Sequence, residues 1–335
     1  SPYGPTHRAV NRLPRGEPPP SGTDVRTRSP LHAVTWLVWA VGAAACVQLA
    51  PNPLYVALVI AICFLVVSAH RLASEVGVEV LRSGGNAVDA AVAVGYALAV
   101  VYPVAGNLGG GGFMTIRLAG GSSAFVDFRE TAPAAATRDM YLRNGRADTT
   151  LSQTGALASG VPGALATYAQ AAREHGRKPL SELIAPATRI AEEGFTLNAL
   201  YAQKLRATAA DLRRFESSRA IFFRKDGEPL AAGDVLKQPD LARSYRAIAR
   251  EGSDWFYRGE YARVVETWMR ANQGILTAAD FRNYVVKSRT PVTSTYRGHS
   301  IVGFGPPSSG GVHVAQILNM LEGFELAVEG VELLA

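Results

Sequence analysis

The stretch SGGNAVDAAVAVGYALAVV, residues 83–101, decides how this chain folds. Residues 72–81, just before it, have helical periodicity, and a glycine of the following Ser-Gly-Gly can take the left-handed conformation that ends a helix. Asn86 is a suitable N-cap for a second helix over residues 87–101. Because that helix is apolar on all sides, we expect it to be buried in a sandwich of layers. Asp89 and the many small residues argue against a membrane span.

The segments that follow indicate a mixed α/β domain of the α+β kind. Residues 113–118 alternate like a strand, and Gly120 and Gly121 form a hairpin turn to a partner strand over residues 124–128. Residues 277–280 resemble a capping start for a short helix at Phe281. Further helices are predicted from residue 163 to about residue 175 and over residues 181–193, 198–215 and 255–272, and strands over residues 292–296 and 300–304.

The first 65 residues differ in character from the rest. Residues 1–29 are rich in Pro, Gly, Arg, Ser and Thr, which predicts a disordered tail. Residues 30–65 contain two apolar runs separated by Pro51-Asn52-Pro53, and the first run has the length of one bilayer span. We interpret them as a helical membrane hairpin. The alternative is a buried helical hairpin in a soluble core.

Charge and cysteine content exclude some classes of site. The formal net charge is +6, but no Lys/Arg run is dense enough to predict a nucleic-acid partner. The two cysteines, Cys46 and Cys63, lie in apolar runs and are too few for a disulfide framework. No Cys/His spacing indicates zinc, so no metal site is predicted.

Five short motifs follow one another along the chain. They are ASEVG with GGNAVDAA (73–77 and 84–91), NLGGGGFM (107–114), DFRETAP (127–133), ASGVPG (158–163) and PPSSGG (306–311). Each motif alone is weak. In this order and at these separations, they resemble the large subunit of the γ-glutamyltransferases, also called glutathione hydrolases. The resemblance covers about 270 of the 335 residues, from about Val66 to Ala335.

That resemblance implies a fold and a reaction. The fold would be part of the αββα sandwich of the N-terminal nucleophile hydrolases. In that family the precursor cuts itself, and a threonine freed at the start of the small subunit attacks a γ-glutamyl amide such as glutathione. Water, an amino acid or a peptide then accepts the γ-glutamyl group. The freed amine can serve as the general base, and neither a cofactor nor a metal is implied.

Arg129 is the substrate-binding residue that the resemblance implies, because its counterpart lies against the α-carboxylate of the γ-glutamyl group. A guanidinium is a planar fork of donors suited to bidentate carboxylate binding. Arg129 also follows a predicted strand, which can hold the fork rigidly. The alternative is a surface arginine paired with Asp127 or Glu130, which would contribute little.

The glycine run consists of Gly109, Gly110, Gly111 and Gly112. A phosphate-binding loop would need a following Lys-Ser/Thr or a helix start, and a strand follows instead. We therefore interpret the run as a tight backbone packing element near the active-site sheet, as the family suggests.

A second set of small residues consists of Ser308, Ser309, Gly310 and Gly311. No Gly-x-Ser-x-Gly elbow surrounds the serines, which argues against a serine nucleophile. We expect them to cap a helix that starts just after them, near the site. His313 is interpreted as a helix-surface or core residue.

The catalytic residue expected from the family does not occur in this sequence. The chain ends at Ala335, before the position of the nucleophilic threonine, and Thr149 and Thr150 lie in a polar loop with the wrong neighbours. We therefore expect this chain alone to be inactive and to require the small-subunit half. Without that half, apolar faces and sheet edges of the sandwich would be uncovered.

Residues 30–65 carry a second, weaker resemblance. The segments PLHA (30–33), WLVW (36–39) and NPLY (52–55) are similar to the opening membrane helices of the T component of energy-coupling-factor transporters. This leaves open a fused or misjoined frame, a membrane-anchored transferase, and a membrane-attached or transporter-associated binding or scaffold protein with an enzyme-derived domain. A hairpin would associate the chain with a membrane, and its arginine-containing tail favours the cytoplasm. The relatives are usually periplasmic or extracellular.

Overall fold

The structure, a computed structural model, describes residues 66–106, 108–118 and 120–324. The tail, the apolar hairpin and both cysteines predicted or discussed above lie outside these residues. Among the helices of the described ranges, none has the length and apolar character needed to cross a bilayer.

The described part is a mixed α/β domain, which confirms the predicted class. Its helices are α1 (Arg71–Arg82), α2 (Ala87–Val101), α3 (Thr149–Gln153), α4 (Ala164–His175), α5 (Leu180–Glu193), α6 (Ala199–Leu212), α7 (Glu216–Phe222), α8 (Pro239–Glu251), α9 (Asp254–Tyr257), α10 (Glu260–Ala271), α11 (Ala278–Arg282) and α12 (Gly310–Leu321). Its strands are β1 (Phe113–Arg117), β2 (Ser123–Asp127), β3 (Leu142–Arg143), β4 (Arg146–Ala147), β5 (Phe195–Thr196), β6 (Val235–Leu236), β7 (Lys287–Ser288), β8 (Val292–Tyr296) and β9 (His299–Gly303).

Helix α2 is the centre of the core and has the bounds that its sequence predicts. Asn86 accepts the N–H groups of Val88 and Asp89, and the Asp89 carboxylate accepts the N–H of Asn86 at 2.8 Å. This reciprocal capping box satisfies donors that have no partner inside the helix. Most of α2 is buried, and it packs against α1, α4 and α5. An all-apolar helix thus lies inside the domain, as predicted.

The same capping box ties α2 to the chain beyond α4. Asp89 is fully buried and accepts the N–H groups of Arg177 at 3.0 Å and Lys178 at 3.3 Å. The Asn86 side-chain amide donates to the carbonyl of His175 at 2.6 Å. One polar pair therefore fixes the relative position of two helices.

The strands form small separate sheets. Strand β1 pairs antiparallel with β2, with Phe113 opposite Asp127, and β7 pairs with the other edge of β2, with Lys287 opposite Asp127. Strands β8 and β9 form their own hairpin, and α12 packs on it. The ring of Phe304 lies 4.5 Å from that of Phe113, which places the end of the β8–β9 hairpin against β1.

Some sequence predictions need correction. The single helix predicted over residues 255–272 is two, α9 and α10, separated at Gly259, where a Cβ would lie 2.6 Å from the Trp255 carbonyl oxygen. The helix predicted over residues 198–215 ends at Leu212, and α7 follows it. Thr149 and Thr150 do not lie in a loop. They begin α3, because the Asp148 side chain accepts the N–H of Thr150.

Candidate functional site

Arg129 leaves the sheet where the pairing of β1 with β2 ends. The N–H of Phe128 donates to the Gly112 carbonyl at 3.0 Å, and the N–H of Gly112 donates to the Phe128 carbonyl at 3.3 Å. The ladder thus runs one residue beyond β2, and Arg129 is the next residue. The sequence prediction that Arg129 lies just past a strand is confirmed.

The backbone of Arg129 is held on both sides while its side chain is open to solvent. Its N–H donates to Asp127 Oδ1 at 3.0 Å, and its carbonyl accepts the hydroxyl of Tyr284 at 3.0 Å. The guanidinium carbon lies 5.8 Å from the centre of the Phe113 ring, and 55% of the side chain is exposed. Such an arrangement presents the fork of donors at a fixed point of the surface.

The ion pairs of this region do not use up the Arg129 fork. Its Nε lies 3.4 Å from Glu130 Oε2, and both side chains are exposed, so this contact contributes little. Asp127 instead binds Arg289, whose Nε and Nη2 donate to Asp127 Oδ2 at 2.9 and 2.7 Å. Of the two pairings considered from sequence, the one between the Arg129 guanidinium and Asp127 is therefore absent from the described contacts.

Asp127 is a buried carboxylate with its charge compensated. Burial by itself would raise its pKa, but the N–H of Arg129 and the guanidinium of Arg289 outweigh burial and lower the pKa below the usual value. Asp127 is therefore ionised at neutral pH and accepts from Arg129 and Arg289 together. Asp127 belongs to a motif recognised in the sequence, whereas its partner Arg289, which lies 162 residues further along the chain, was not predicted.

The glycine run lies directly against residues 127–131, the Arg129 segment. The Gly110 carbonyl accepts the N–H groups of Gly163 at 2.9 Å and Ala164 at 3.0 Å. A Cβ on Gly111 would overlap the Phe128 carbonyl, and Gly112 pairs with Phe128. Gly109 lies in the turn that precedes them. The structure thus brings the run to the candidate site as a place of close backbone approach, with a strand after it.

Gly163 and two tyrosines complete the support of the Arg129 segment. A Cβ on Gly163 would overlap both the Tyr284 hydroxyl and the Phe128 carbonyl. The Tyr284 ring stacks on that of Tyr257 at 5.8 Å, and the Tyr257 hydroxyl donates to the Pro162 carbonyl at 2.9 Å. Neither tyrosine was predicted from the sequence. The one signal for them in the sequence was Gly163 of the ASGVPG motif. A glycine can indicate that another part of the chain lies close to the backbone, but it does not identify which residue that is.

Segment 308–311 adjoins the site less directly. Ser308 Oγ accepts the N–H of Gly310 at 3.3 Å, whereas Ser309, at the N-cap position of α12, makes no capping hydrogen bond with its side chain. The capping role predicted for Ser309 is therefore wrong. Within the described residues, the hydroxyl that accepts a backbone N–H at the start of α12 is that of Ser308. A Cβ on Gly311 would overlap the Phe304 carbonyl.

Phe304 connects this segment to the Arg129 side of the domain. Its ring contacts Phe113, whose ring in turn lies beside the Arg129 guanidinium. His313 is exposed on α12, in agreement with one of the two positions considered for it. In the described ranges, no group of three or more His, Cys, Asp or Glu side chains is arranged to hold a metal ion.

Residues 73–333, most of the chain, match the family model described as Gamma-glutamyltranspeptidase. The chain belongs to the gamma-glutamyltranspeptidase family. The transporter resemblance of residues 30–65 lies outside the matched range and stays a prediction.

Individual members of the gamma-glutamyltranspeptidase family agree with this assignment. The chain is 47% identical over 268 residues to a protein from Escherichia coli named Glutathione hydrolase proenzyme, covering 79% of this chain and 46% of that protein. It is 41% identical over 273 residues to the Acylase ACY 1 proenzyme of a Pseudomonas strain, covering 79% and 49% of the two. The chain thus spans about half the length of these curated relatives.

A solved structure shows the same fold. The crystal structure of the Helicobacter pylori gamma-glutamyltranspeptidase superposes with a TM-score of 0.77 at 45% sequence identity, covering 80% of this chain and 77% of that chain. The mixed α/β architecture described above is therefore that of this family.

Proposed function

We propose that this chain forms the donor-binding part of a γ-glutamyl hydrolase/transferase that acts on glutathione and other γ-glutamyl amides. The observation that carries the proposal is the geometry of Arg129. Its backbone is fixed by Asp127 and Tyr284, and its guanidinium is open to solvent. A rigidly held fork of donors suits the α-carboxylate of a γ-glutamyl group.

The chemistry would require a second segment. In the proposed reaction a threonine hydroxyl attacks the γ-amide carbon, the amine leaves, and water or an amino acid then takes the γ-glutamyl group from the threonine. The two curated relatives are named proenzymes, which supports a nucleophile released by processing. Binding of the carboxylate by Arg129 would place the γ-amide at that nucleophile.

The outer face of α12 supports an αββα sandwich that is completed by the second segment. Val314, Ile317 and Met320 recur at three-residue spacing and are 48%, 50% and 64% exposed. Residues at this spacing share one face of a helix. A contiguous exposed apolar stripe indicates a surface that another layer covers.

The test is chromophore release from a γ-glutamyl anilide by the chain assembled with the nucleophile-carrying segment. Hydrogen bonds to a charged group contribute about 1.5–3 kcal/mol, so Arg129→Met should lower kcat/KM roughly 10- to 100-fold. Arg138→Met is the matched control. The Arg138 side chain is 96% exposed, and its ion pair, between Nε and Asp139 Oδ1 at 3.7 Å, is on the surface and contributes little.

Two results would count against the proposal. If the assembled protein released no chromophore, the proposed reaction would be wrong. If Arg129→Met and Arg138→Met had the same kcat/KM as the wild type, the reaction would stand but Arg129 would not be the carboxylate-binding residue.

A further inference from the structure

We infer that Tyr284 is a positioning residue for Arg129. We further infer that segment 277–284, which contains α11 and is called the arm below, holds residues 129–134, the Arg129 loop. The inference rests on the proposed function and deepens it, since it says what sets the affinity of that site for a γ-glutamyl carboxylate. Tyr284 touches no substrate in this assignment and acts through the Arg129 backbone.

The arm forms hydrogen bonds to the Arg129 loop at two points. Tyr284 donates its hydroxyl to the Arg129 carbonyl at 3.0 Å. At the other end, Asp280 Oδ1 accepts the N–H of Ala134 at 2.8 Å. The chain from Arg129 to Ala134 is therefore anchored near both ends by one short segment that lies about 150 residues away in sequence.

The arm itself is rigid at the Asp280 end. Thr277 and Asp280 form a reciprocal capping box, in which Asp280 Oδ2 accepts the Thr277 N–H at 2.8 Å and the Thr277 hydroxyl at 2.6 Å. One oxygen of Asp280 thus closes the helix start while the other holds Ala134. The arm does not need substrate to order its contact with the loop.

The Tyr284 end is rigid for a different reason. The Tyr284 ring is stacked on Tyr257, and its hydroxyl occupies the space that a side chain on Gly163 would take. Burial, together with the charges of Asp127 and Glu130, raises the pKa of Tyr284 to about 12, so the hydroxyl keeps its proton at neutral pH. It is therefore a permanent donor to the Arg129 carbonyl.

The consequence for binding follows from the two hydrogen bonds at the Arg129 peptide. Asp127 holds its N–H and Tyr284 holds its carbonyl, so the direction in which the side chain leaves the backbone is set from both sides. Removing only the Tyr284 hydroxyl leaves the ring and its stacking but frees the carbonyl. The guanidinium would then occupy the binding-competent position for a smaller fraction of the time, and apparent affinity would fall by that fraction.

The experiment compares two ligands on the 335-residue chain by isothermal titration calorimetry. L-Glutamate carries the α-carboxylate, and γ-aminobutyrate is the same molecule without it. The variants are Arg129→Met, Tyr284→Phe, the double variant, and Tyr245→Phe. Tyr245→Phe is the matched control, because it removes another tyrosine-to-carbonyl hydrogen bond, to Tyr96 at 2.7 Å, in the helical core.

The expected result is a specific loss. Tyr284→Phe should weaken glutamate binding roughly 3- to 10-fold and leave γ-aminobutyrate unchanged. Arg129→Met should remove the preference for glutamate, and the double variant should bind no more weakly than Arg129→Met, because Tyr284 acts through Arg129. Tyr245→Phe should lower the melting temperature without changing the preference.

The two proposals fail in different ways. If Arg129→Met and the wild type bound glutamate equally well, or if neither bound it, the assignment of Arg129 as the carboxylate-binding residue would be wrong. The positioning role of Tyr284 would then be wrong as well. If Arg129→Met lost the preference while Tyr284→Phe behaved like Tyr245→Phe, only the positioning role would be overturned.

Discussion

The Arg129 segment and the β8–β9–α12 layer (residues 292–321) are built in opposite ways. In the Arg129 segment, backbone groups and the Asp127 carboxylate find partners far along the chain, and two glycines let backbones approach closely. In the layer, α12 starts without a side-chain cap at Ser309 and turns Ile317 and Met320 to solvent. The backbone of Arg129 is therefore held by contacts within the described residues, whereas the layer exposes an apolar face of the kind that a further segment covers.

The largest expected difference concerns a methyl group at one glycine beside each region, Gly163 next to the Arg129 segment and Gly310 at the open start of α12, and the closely packed Gly311 is not part of this comparison. Gly163→Ala should lower the free energy of unfolding by about 3 kcal/mol, since its Cβ would overlap the Tyr284 hydroxyl and the Phe128 carbonyl. Gly310→Ala should change it by less than about 0.5 kcal/mol, because the nearest atom to its Cβ is Ser308 Oγ at 3.5 Å. Urea denaturation of both variants measures the difference.

Equal losses in the two glycine variants would contradict the comparison. A strongly destabilised Gly310→Ala variant would mean that the start of α12 is as tightly constrained as the surroundings of the Arg129 segment. A neutral Gly163→Ala variant would mean that the Tyr284 hydroxyl can move away at little cost, which would also weaken its positioning role.

A second, smaller effect concerns the buried charge of the Arg129 segment. Asp127→Asn should lower the free energy of unfolding by about 2 kcal/mol at pH 7, because Arg289 would lose its charged partner. The pKa of Asp127 is lowered in the folded protein from an ordinary value of 3.8. Its stabilisation is therefore complete above that pH and is lost as the pH falls through the folded pKa.

The pH dependence separates this charge from packing effects. Denaturation curves of wild type and Asp127→Asn should be well separated at pH 7 and should approach each other below pH 3.8. A gap of constant size down to pH 2 would show that the substitution acts through shape and hydrogen bonding alone. The Arg138→Met variant serves as a charge control on an exposed pair.

The smallest expected effect on stability lies in the layer. Replacing Ile317 and Met320 together by glutamine should change the free energy of unfolding by less than about 0.5 kcal/mol for each residue, because both side chains are at least half exposed. The same substitution should clearly lower the fluorescence of the dye ANS, which binds exposed apolar surface.

Val285→Gln is the control for the dye experiment, since Val285 is 69% exposed and lies outside the layer. It should leave ANS fluorescence nearly unchanged. If the double substitution in α12 unfolded the domain, its outer face would be part of the core and the contrast between the two regions would disappear.

How much of the fold and of the candidate site could be predicted from the sequence depends on how far apart in the chain the interacting residues lie. The capping boxes at Asn86 and at Thr277 were predictable, because cap and partner lie within three residues of each other. Helix α8 was missed, although Pro239 at its start is a known helix-initiation signal. Most segments whose signals are local could thus be placed from composition and periodicity, and α8 is an exception among them.

The support of the site could not be predicted in the same way. Arg289 and Tyr284 reach the Arg129 segment across 162 and 155 residues, and no local pattern connects them. Arg129 itself was identified from a motif together with the strand before it. The resemblance therefore pointed to the residue proposed to bind the ligand, while the residues that hold Arg129 could be found only in the structure.

The position of strand β7 in the chain also determines when the candidate site can form during protein synthesis. Its pairing with β2, and the bond from Arg289 to Asp127 that follows it, join parts of the chain separated by 162 residues. A ribosome adding roughly 5–20 residues per second needs about 8–32 s to make that stretch. Until those residues have been made, β2 and Asp127 lack these partners, so the three-stranded sheet and the ion pair between Asp127 and Arg289 can form only late in the synthesis of the described domain.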